Sequence, residues 1–398
     1  MNFSKRFGYN AKFFLLQACF WASNCIYYSF LVAYLTEKGY SEFISGIAMT
    51  LVSIVSAVSQ PIIGYITDTF LTGKKLLTIN FCIALPLTFL LPLFVGSVPL
   101  ALASILILSV FDYTAYSIID SWSIKLKDTT QPQLDYGFTR SGGSIGYSVT
   151  ALIFGKLIST LGYNLMFFAH AAYLLCMILI ITRLEAVPCC NVSAQSSDEG
   201  RLSIAGALSL LLKNRFYIVL IASAAFYQFA MRTASTYITV IVKYYGGNST
   251  HLGIAIFMCS FFEIFSMFYA GKLIKCGIKM EYIFAVGLIF GFARMILYCY
   301  GNLWSVIFTQ LLTSVASGIY IRVFIEYISL VTPKRINATA TTFGVAVSFG
   351  LGGVGGNFLG GLLIQSYGLM TYLYVSIFVM LGALIVFLPN IIKPYKNA

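Results

Sequence analysis

This chain of 398 residues carries little charge: Asp, Glu, Lys and Arg together make up 10% of it, where a soluble domain carries about 25% because its surface must be solvated. That shortage excludes an ordinary soluble globular protein and leaves the bilayer as the solvent. Acidic residues are scarcer than basic ones, 13 against 25. In a soluble protein the net charge of +12 would suggest nucleic acid. Here the positions of the basic residues explain it, and no nucleic-acid partner is expected. Histidine occurs only twice, and the 9 cysteines are scattered singly apart from Cys189-Cys190, with neither metal-ligand spacing nor a disulfide framework. There is no nucleotide-binding loop and no catalytic-triad signature. An enzyme, an ATP-driven pump, a metal and any other cofactor are therefore not expected.

What the chain does have is apolar length. Hydrophobic residues make up 59% of it, and a bilayer-spanning helix needs about 20 mainly apolar residues. Twelve such runs can be marked, at about 12–35, 43–66, 75–95, 98–124, 137–160, 163–183, 215–242, 250–273, 281–300, 302–329, 338–365 and 368–389. The first is long enough to span and reads as a retained helix rather than a cleaved signal. The one long polar segment, 185–213, reads as a cytoplasmic linker between an N-terminal six-helix bundle (1–184) and a C-terminal one (214–398). Of the 25 basic residues, four, Arg140, Arg232, Arg294 and Arg322, are assigned to the membrane interior; with both termini cytoplasmic, only Lys38, Lys156 and Lys243 fall on the outer side and the other 18 on the inner side. That asymmetry sets the orientation and predicts a multi-pass protein of a bacterial cytoplasmic membrane.

The two halves echo one another. Gly155-Lys156-Leu157-Ile158 with Gly162 returns 206 residues later as Gly361-Leu362-Leu363-Ile364 with Gly368, and the same offset carries Asp120 onto Glu326. An offset of 207 carries Gly64 onto Gly271. The expected fold is an all-α membrane protein, twelve transmembrane helices in two pseudosymmetric six-helix bundles. Such a repeat in an apolar chain is the sequence mark of a membrane transporter.

Gly64-x-x-x-Asp68 followed by Gly73-Lys74-Lys75, between spans two and three, resembles the loop motif of the major facilitator superfamily. The copy departs from it, with Thr69 at a basic position and two extra residues before Gly73. Such a carboxylate at a helix end can hold basic groups in one state and release them in another. Asp135-Tyr136-Gly137-Phe138-Thr139-Arg140-Ser141-Gly142-Gly143-Ser144-Ile145-Gly146-Tyr147 is similar to a stretch of the phenylpropionate-permease and lactose-permease-like branch. Glu263-Ile264, Arg294 and Thr332-Pro333-Lys334-Arg335 fit that branch too. The resemblance implies a proton-coupled symporter, importing a small polar organic solute of the sugar/oligosaccharide or nucleoside class by alternating access, as a monomer in the lipid bilayer. It also implies that spans one, four, seven and ten line the cavity. Where lactose permease uses a His and a Glu of its tenth span for proton coupling, this chain has Thr313 and Ala316, so coupling here must use other acids.

Charges inside a membrane must be paired or face water. Arg140, Arg232, Arg294 and Arg322 stand against Asp112, Asp120, Glu263 and Glu326, a balance that predicts buried ion pairs or proton-coupling groups. Arg322 and Glu326 are four apart and can pair on one helical face. Asp112, Tyr116 and Asp120 recur every four residues, predicting one polar stripe on span four. Asp120 and Glu326 serve either as gates or as packing residues. Glu263, in mid-span, is either a coupling or substrate group or half of a structural ion pair, with Arg294 the natural partner. Gln17, Trp21, Asn24 and Tyr28 fall on one face of span one, and Tyr227, Gln228 and Arg232 lie on span seven. Aromatics with amides suit stacking on, and hydrogen bonding to, a sugar or nucleoside, although interhelical polar contacts would use the same residues. His170 and His251 look less useful, His170 because span six is peripheral in this fold. Glycines 142, 143, 146 and 155 match Gly350, Gly352, Gly353, Gly355, Gly356, Gly360 and Gly361, for sliding or for static close packing. Two competitors remain: an efflux antiporter or uniporter of the same fold, and a non-transporting membrane sensor. Span five lacks the Gly-Pro element of drug antiporters, and no soluble signalling domain is appended.

Overall fold

A computed structural model describes residues 3–129, 131, 133–185, 204–333 and 336–395. Among these there are helices and no strands. Twelve helices are long and apolar enough to cross a membrane, numbered here as spans one to twelve: Gly8–Glu37, Glu42–Ser59, Gly73–Phe94, Val98–Lys127, Tyr136–Leu161, Leu165–Thr182, Arg215–Thr236, Ser249–Lys275, Met280–Tyr300, Leu303–Val331, Thr339–Tyr367 and Leu369–Ile392. The helix carrying span two continues to Thr69. Of the linker expected at 185–213, residues 204–213 form the helix Ile204–Lys213, and 186–203 lie outside the described residues.

The repeat is visible in the backbone. Gly162 ends span five at φ 85°, ψ 166°, and Gly368 ends span eleven at φ 86°, ψ 165°. Each donates its N–H to the residue four before it, Ile158 O and Ile364 O. A side chain is strained at such a φ, so both turns select glycine. Gly39 and Gly246, 207 apart, likewise have φ 85° and 78°.

Several spans are not continuous α-helices. Span one contains a π-helical turn, Cys25–Ser29. Span three breaks at Thr88, two residues after Pro86, which lies inside the helix Gly73–Leu87. Proline removes a backbone donor and crowds the preceding turn. Span four ends its first helix at Phe111 and resumes at Ala115. Span eleven holds a π-helical stretch, Ala346–Val354. Span seven was expected to run to 242, but it stops at Thr236 and a shorter helix, Ile238–Tyr244, follows. At the turn the buried Tyr237 hydroxyl reaches the carbonyls of Asn357 (3.0 Å) and Glu42 (3.3 Å).

The chain divides into two compact units. Unit 1 comprises Met1–Tyr40, Leu51–Gln195 and Ser249–Phe257; unit 2 comprises Ser41–Thr50, Ser196–Asn248 and Met258–Ala398. In unit 1, span five lies directly on span one: a Cβ at Gly142 would collide with the Phe14 carbonyl, and one at Gly146 with the Ala18 carbonyl. In unit 2, span eleven lies as closely on span seven. A Cβ at Gly352 would stand 2.5 Å from Ala225 O and 2.8 Å from Gln228 Cβ. The matched glycines thus do the same packing work in both halves. Gly155 also meets Gly253, a Cβ there falling 2.7 Å from the Gly253 Cα.

Candidate functional site

In unit 1 the polar residues of spans one, four and five converge. Gln17 donates from Nε2 to Asp120 Oδ1 at 2.6 Å, and Gln17 Oε1 accepts from Trp21 Nε1 at 3.1 Å. The two are four residues apart on span one, so they rise from one face. The Arg140 guanidinium lies 4.7 Å from the Trp21 ring centroid and is the positive charge acting on Asp120. Tyr136, one turn before Arg140, is in polar contact with both charges. Tyr116 and Tyr147 each stand 6.3 Å from the Trp21 ring, and the Tyr147 hydroxyl bonds Ser29 Oγ at 2.6 Å. Trp21, Tyr116, Asp120, Arg140 and Tyr147 are all only partly buried. A partly accessible indole flanked by a carboxylate and a guanidinium can stack on a sugar or base and hydrogen-bond its hydroxyls. Tyr136 and Tyr147 were read in the sequence only as part of the branch-like stretch and not as site residues. Tyr147 lies seven residues after Arg140, two turns along the same helical face, and that spacing was the available signal.

One member of the expected span-one face departs from it. The π-helical turn carries Tyr28 off the Gln17–Trp21 face, so that its ring meets Tyr27 and Tyr113 at 5.0 and 4.9 Å. Asn24 is buried, 7% exposed, and makes no side-chain cap to the turn. The continuous stripe expected on span four is also wrong. The break at 112–114 separates Asp112 from Tyr116 and Asp120. Asp112 is buried and among the described residues pairs with no arginine; its Oδ2 lies 3.3 Å from His170 Nε2. His170, set aside in the sequence reading, is wholly buried.

In unit 2 the aromatic rings stack. Tyr227 and Tyr320 lie 4.8 Å apart at 9°, Tyr320 and Phe324 5.0 Å apart at 16°. The Tyr320 hydroxyl donates to Ser348 Oγ at 3.2 Å and is also in polar contact with Gln228. Arg232 places its guanidinium 5.6 Å from the Phe349 ring. Arg294 is fully buried. Its Nε donates to the Tyr298 hydroxyl at 2.9 Å, its Nη1 points at Met231 Sδ at 3.6 Å, and among the described residues its Nη2 has no partner. The salt bridge expected between Arg294 and Glu263 does not close. Glu263 Oε2 accepts from Ser317 at 2.9 Å, while both charges act on Tyr227. Arg322 and Glu326 do pair, Nη2 to Oε1 at 2.6 Å, but their side chains are 43% and 32% exposed, so this pair is not a buried one. The sequence inventory of acids omitted Glu281, which is 2% exposed and accepts from the Tyr395 N–H at 2.7 Å and the Tyr327 hydroxyl at 3.3 Å.

In the loop motif, Gly64 and the Asp68 side chain lie outside what the structure describes. Gly73 packs on Trp122, where an added Cβ would stand 3.1 Å from the Trp122 Cβ. Lys74 donates to the carbonyls of Leu184 (2.6 Å) and Thr182 (3.3 Å). Those carbonyls sit at the end of span six, where a cation satisfies orphan acceptors. Among the described residues no cluster of His, Cys, Asp and Glu is arranged to hold a metal.

The chain is 25% identical over 361 residues to a maltose permease of Geobacillus stearothermophilus, covering 90% of this chain and 89% of that one. It is 27% identical over 351 residues to an uncharacterized transporter, YwbF, of Bacillus subtilis (strain 168), covering 87% and 83%. Among solved structures, a nucleoside transporter, NupG, superposes with a TM-score of 0.83 at 13% identity over 97% of this chain and 100% of that one. A bacterial homologue of the human lysosomal transporter Spinster does so with a TM-score of 0.76 at 11% identity over the whole of both chains. At those identities the structures speak for the fold alone: the twelve-helix arrangement of major facilitator transporters. The sequence model of the MFS_1 like family matches residues 9–375, nearly the whole chain, and the protein therefore belongs to that family, an integral multi-pass membrane transporter and not an enzyme.

Proposed function

We propose that this chain is a proton-coupled symporter that imports a small polar organic solute of the sugar/oligosaccharide or nucleoside class by alternating access. The observation that carries the reading is the cluster of Trp21, Gln17, Asp120 and Arg140. There an indole lies beneath a guanidinium, and a carboxylate is already held by an amide. An apolar solute would gain nothing from that carboxylate and guanidinium, whereas a polyhydroxylated ring offers donors to the first, acceptors to the second and an apolar face to the indole. The name of the maltose permease relative supports the sugar class, and Tyr227, Tyr320, Gln228 and Arg232 supply a second set of rings and polar groups in unit 2. Proton coupling is favoured by carboxylates held by neutral donors: Gln17 on Asp120, Ser317 on Glu263. Lys and Arg asymmetry supports cytoplasmic termini.

The test is uptake into proteoliposomes of maltose and uridine in parallel, with and without an imposed proton gradient. The expected result is accumulation of one of them above its external concentration only when the outside is acidic. Equal uptake with and without the gradient would remove the symport reading and leave a uniporter.

A further inference from the structure

Three of the helix interruptions in unit 1 meet at one side chain. His170, on span six, is wholly buried. Its Nδ1 lies 2.9 Å from Thr88 Oγ1, at the break in span three. Its Nε2 lies 3.3 Å from Asp112 Oδ2, at the break in span four. Its ring lies 4.9 Å from that of Tyr27, in the π-helical turn of span one. Thr88, Asp112 and Tyr27 are 0%, 1% and 0% exposed. Each interruption departs from regular α-helical hydrogen bonding, a departure that recurs where a side chain is needed in a particular place. Apolar packing alone would not gather three of them on one imidazole.

Hydrogen counting gives this network two states. Thr88 Oγ1 is also 2.9 Å from Ala84 O, and a hydroxyl has one hydrogen to give. If it goes to Ala84 O, Thr88 can only accept from His170 Nδ1–H. Nε2 and Oδ2 must then share a second proton, as imidazolium with carboxylate or as imidazole with carboxylic acid, and the pair is neutral. If it goes instead to Nδ1, then Nε2 carries the imidazole hydrogen and donates it to an ionised Asp112, and the pair bears one negative charge. The two patterns differ by one proton, one tautomer and one hydroxyl rotation. The surrounding groups suit both. Among the described residues Asp112 Oδ1 and the Tyr27 hydroxyl have no hydrogen-bond partner, Tyr28 is in polar contact with Asp112, and Tyr27 lies within its electrostatic reach. A small turn of either would cover the charge of the deprotonated state. The other ionisable groups nearby are Tyr113 of span four, against Tyr28, and Tyr34 of span one, within reach of Tyr27, and among the described residues the ion pair of Asp112 is with His170 alone. A static cross-link would need no ionisable partner, and an asparagine would serve.

We propose that Thr88, His170 and Asp112 form a proton-binding site in the N-terminal half, which takes up and releases one proton. What that proton does rests on the symport reading; that it binds does not. The rings of Tyr28, Tyr113, Tyr116 and Trp21 follow one another at 4.9, 6.4 and 6.3 Å. The deprotonated and protonated arrangements are thus joined by packed side chains to the Trp21 cluster.

Because His170 and His251 are the only histidines, nitrogen-15 NMR of histidine-labelled protein in lipid nanodiscs, with His251→Gln to leave one imidazole, reads the site directly. His170 is expected to exchange tautomer and proton count in a single step as the pH is varied, with that step lost in Asp112→Asn and displaced in Thr88→Val. One unchanged tautomer over the whole pH range in which the parent protein stays folded, or an unmoved midpoint in Asp112→Asn, would overturn the proposal. The same preparation assayed for uptake keeps the two readings apart. A titrating His170 with gradient-independent uptake retains the site and removes symport, whereas gradient-driven uptake with a silent His170 removes the site and retains symport.

Discussion

At the residue scale the protein is explained by which charges meet and which do not. The balanced inventory of four arginines and four acids suggested four ion pairs. One hydrogen-bonded ion pair forms among them, Arg322–Glu326, and it is accessible. Arg140 sits over Trp21, Arg294 on a tyrosine and a thioether, and Asp112 on a histidine. Replacing Trp21 by Ala removes the platform and the cation–π contact, and should raise the solute Kd about tenfold, ~1.4 kcal/mol, whereas Trp21→Phe should retain most of the affinity; solute protection against thermal unfolding measures both. Asp120→Asn leaves the shape in place but takes away the charged acceptor, so binding should weaken by about 1.5–3 kcal/mol in the same assay. Glu263→Gln should retain binding and lose gradient-driven accumulation, and full accumulation in that variant would take Glu263 out of the mechanism. The residues of the site were readable from sequence where a helix was regular, as Gln17 and Trp21 were. They were misread where it was not: Tyr28 and Asp112 were placed by counting fours through turns that do not have that period.

At the element scale, hydropathy counting finds the spans because burying about 20 apolar residues in lipid overrides local detail. It cannot find the π-helical turns at Cys25–Ser29 and Ala346–Val354, because one shifted residue hardly changes a run's hydropathy. Pro86 was the one printed sign of a break. The glycine pattern, by contrast, was legible and its purpose can be separated residue by residue. Gly352 faces Ala225 O at 2.5 Å, while at Gly353 the nearest atom is Arg232 Cγ at 3.7 Å, both measured from an added Cβ. Gly352→Ala should therefore destabilise by about 1–3 kcal/mol, read as a lowered Tm in detergent, and Gly353→Ala should leave the Tm near that of the parent. Gly146→Ala, pressing on the Ala18 carbonyl, should behave like Gly352→Ala, its counterpart in the other half.

At the scale of the whole molecule, the backbone repeats and the chemistry does not. Gly162 and Gly368 share a turn to within a degree or so in φ and ψ, and each half closes a glycine helix onto its first span. Yet unit 1 carries Trp21 with Asp120 and Arg140, together with the His170–Asp112 pair, while unit 2 carries stacked tyrosines and a buried Arg294. Two halves alike in backbone can move alike, and groups that differ can bind different things, a solute and a proton. Simultaneous measurement of solute and proton entry tests that account most directly. On adding the transported sugar or nucleoside to energy-depleted cells carrying the protein, the account predicts that the unbuffered medium turns alkaline as solute enters, and that Asp120→Asn abolishes both signals. Solute entry with no change in external pH, unaltered by an imposed gradient, would contradict it.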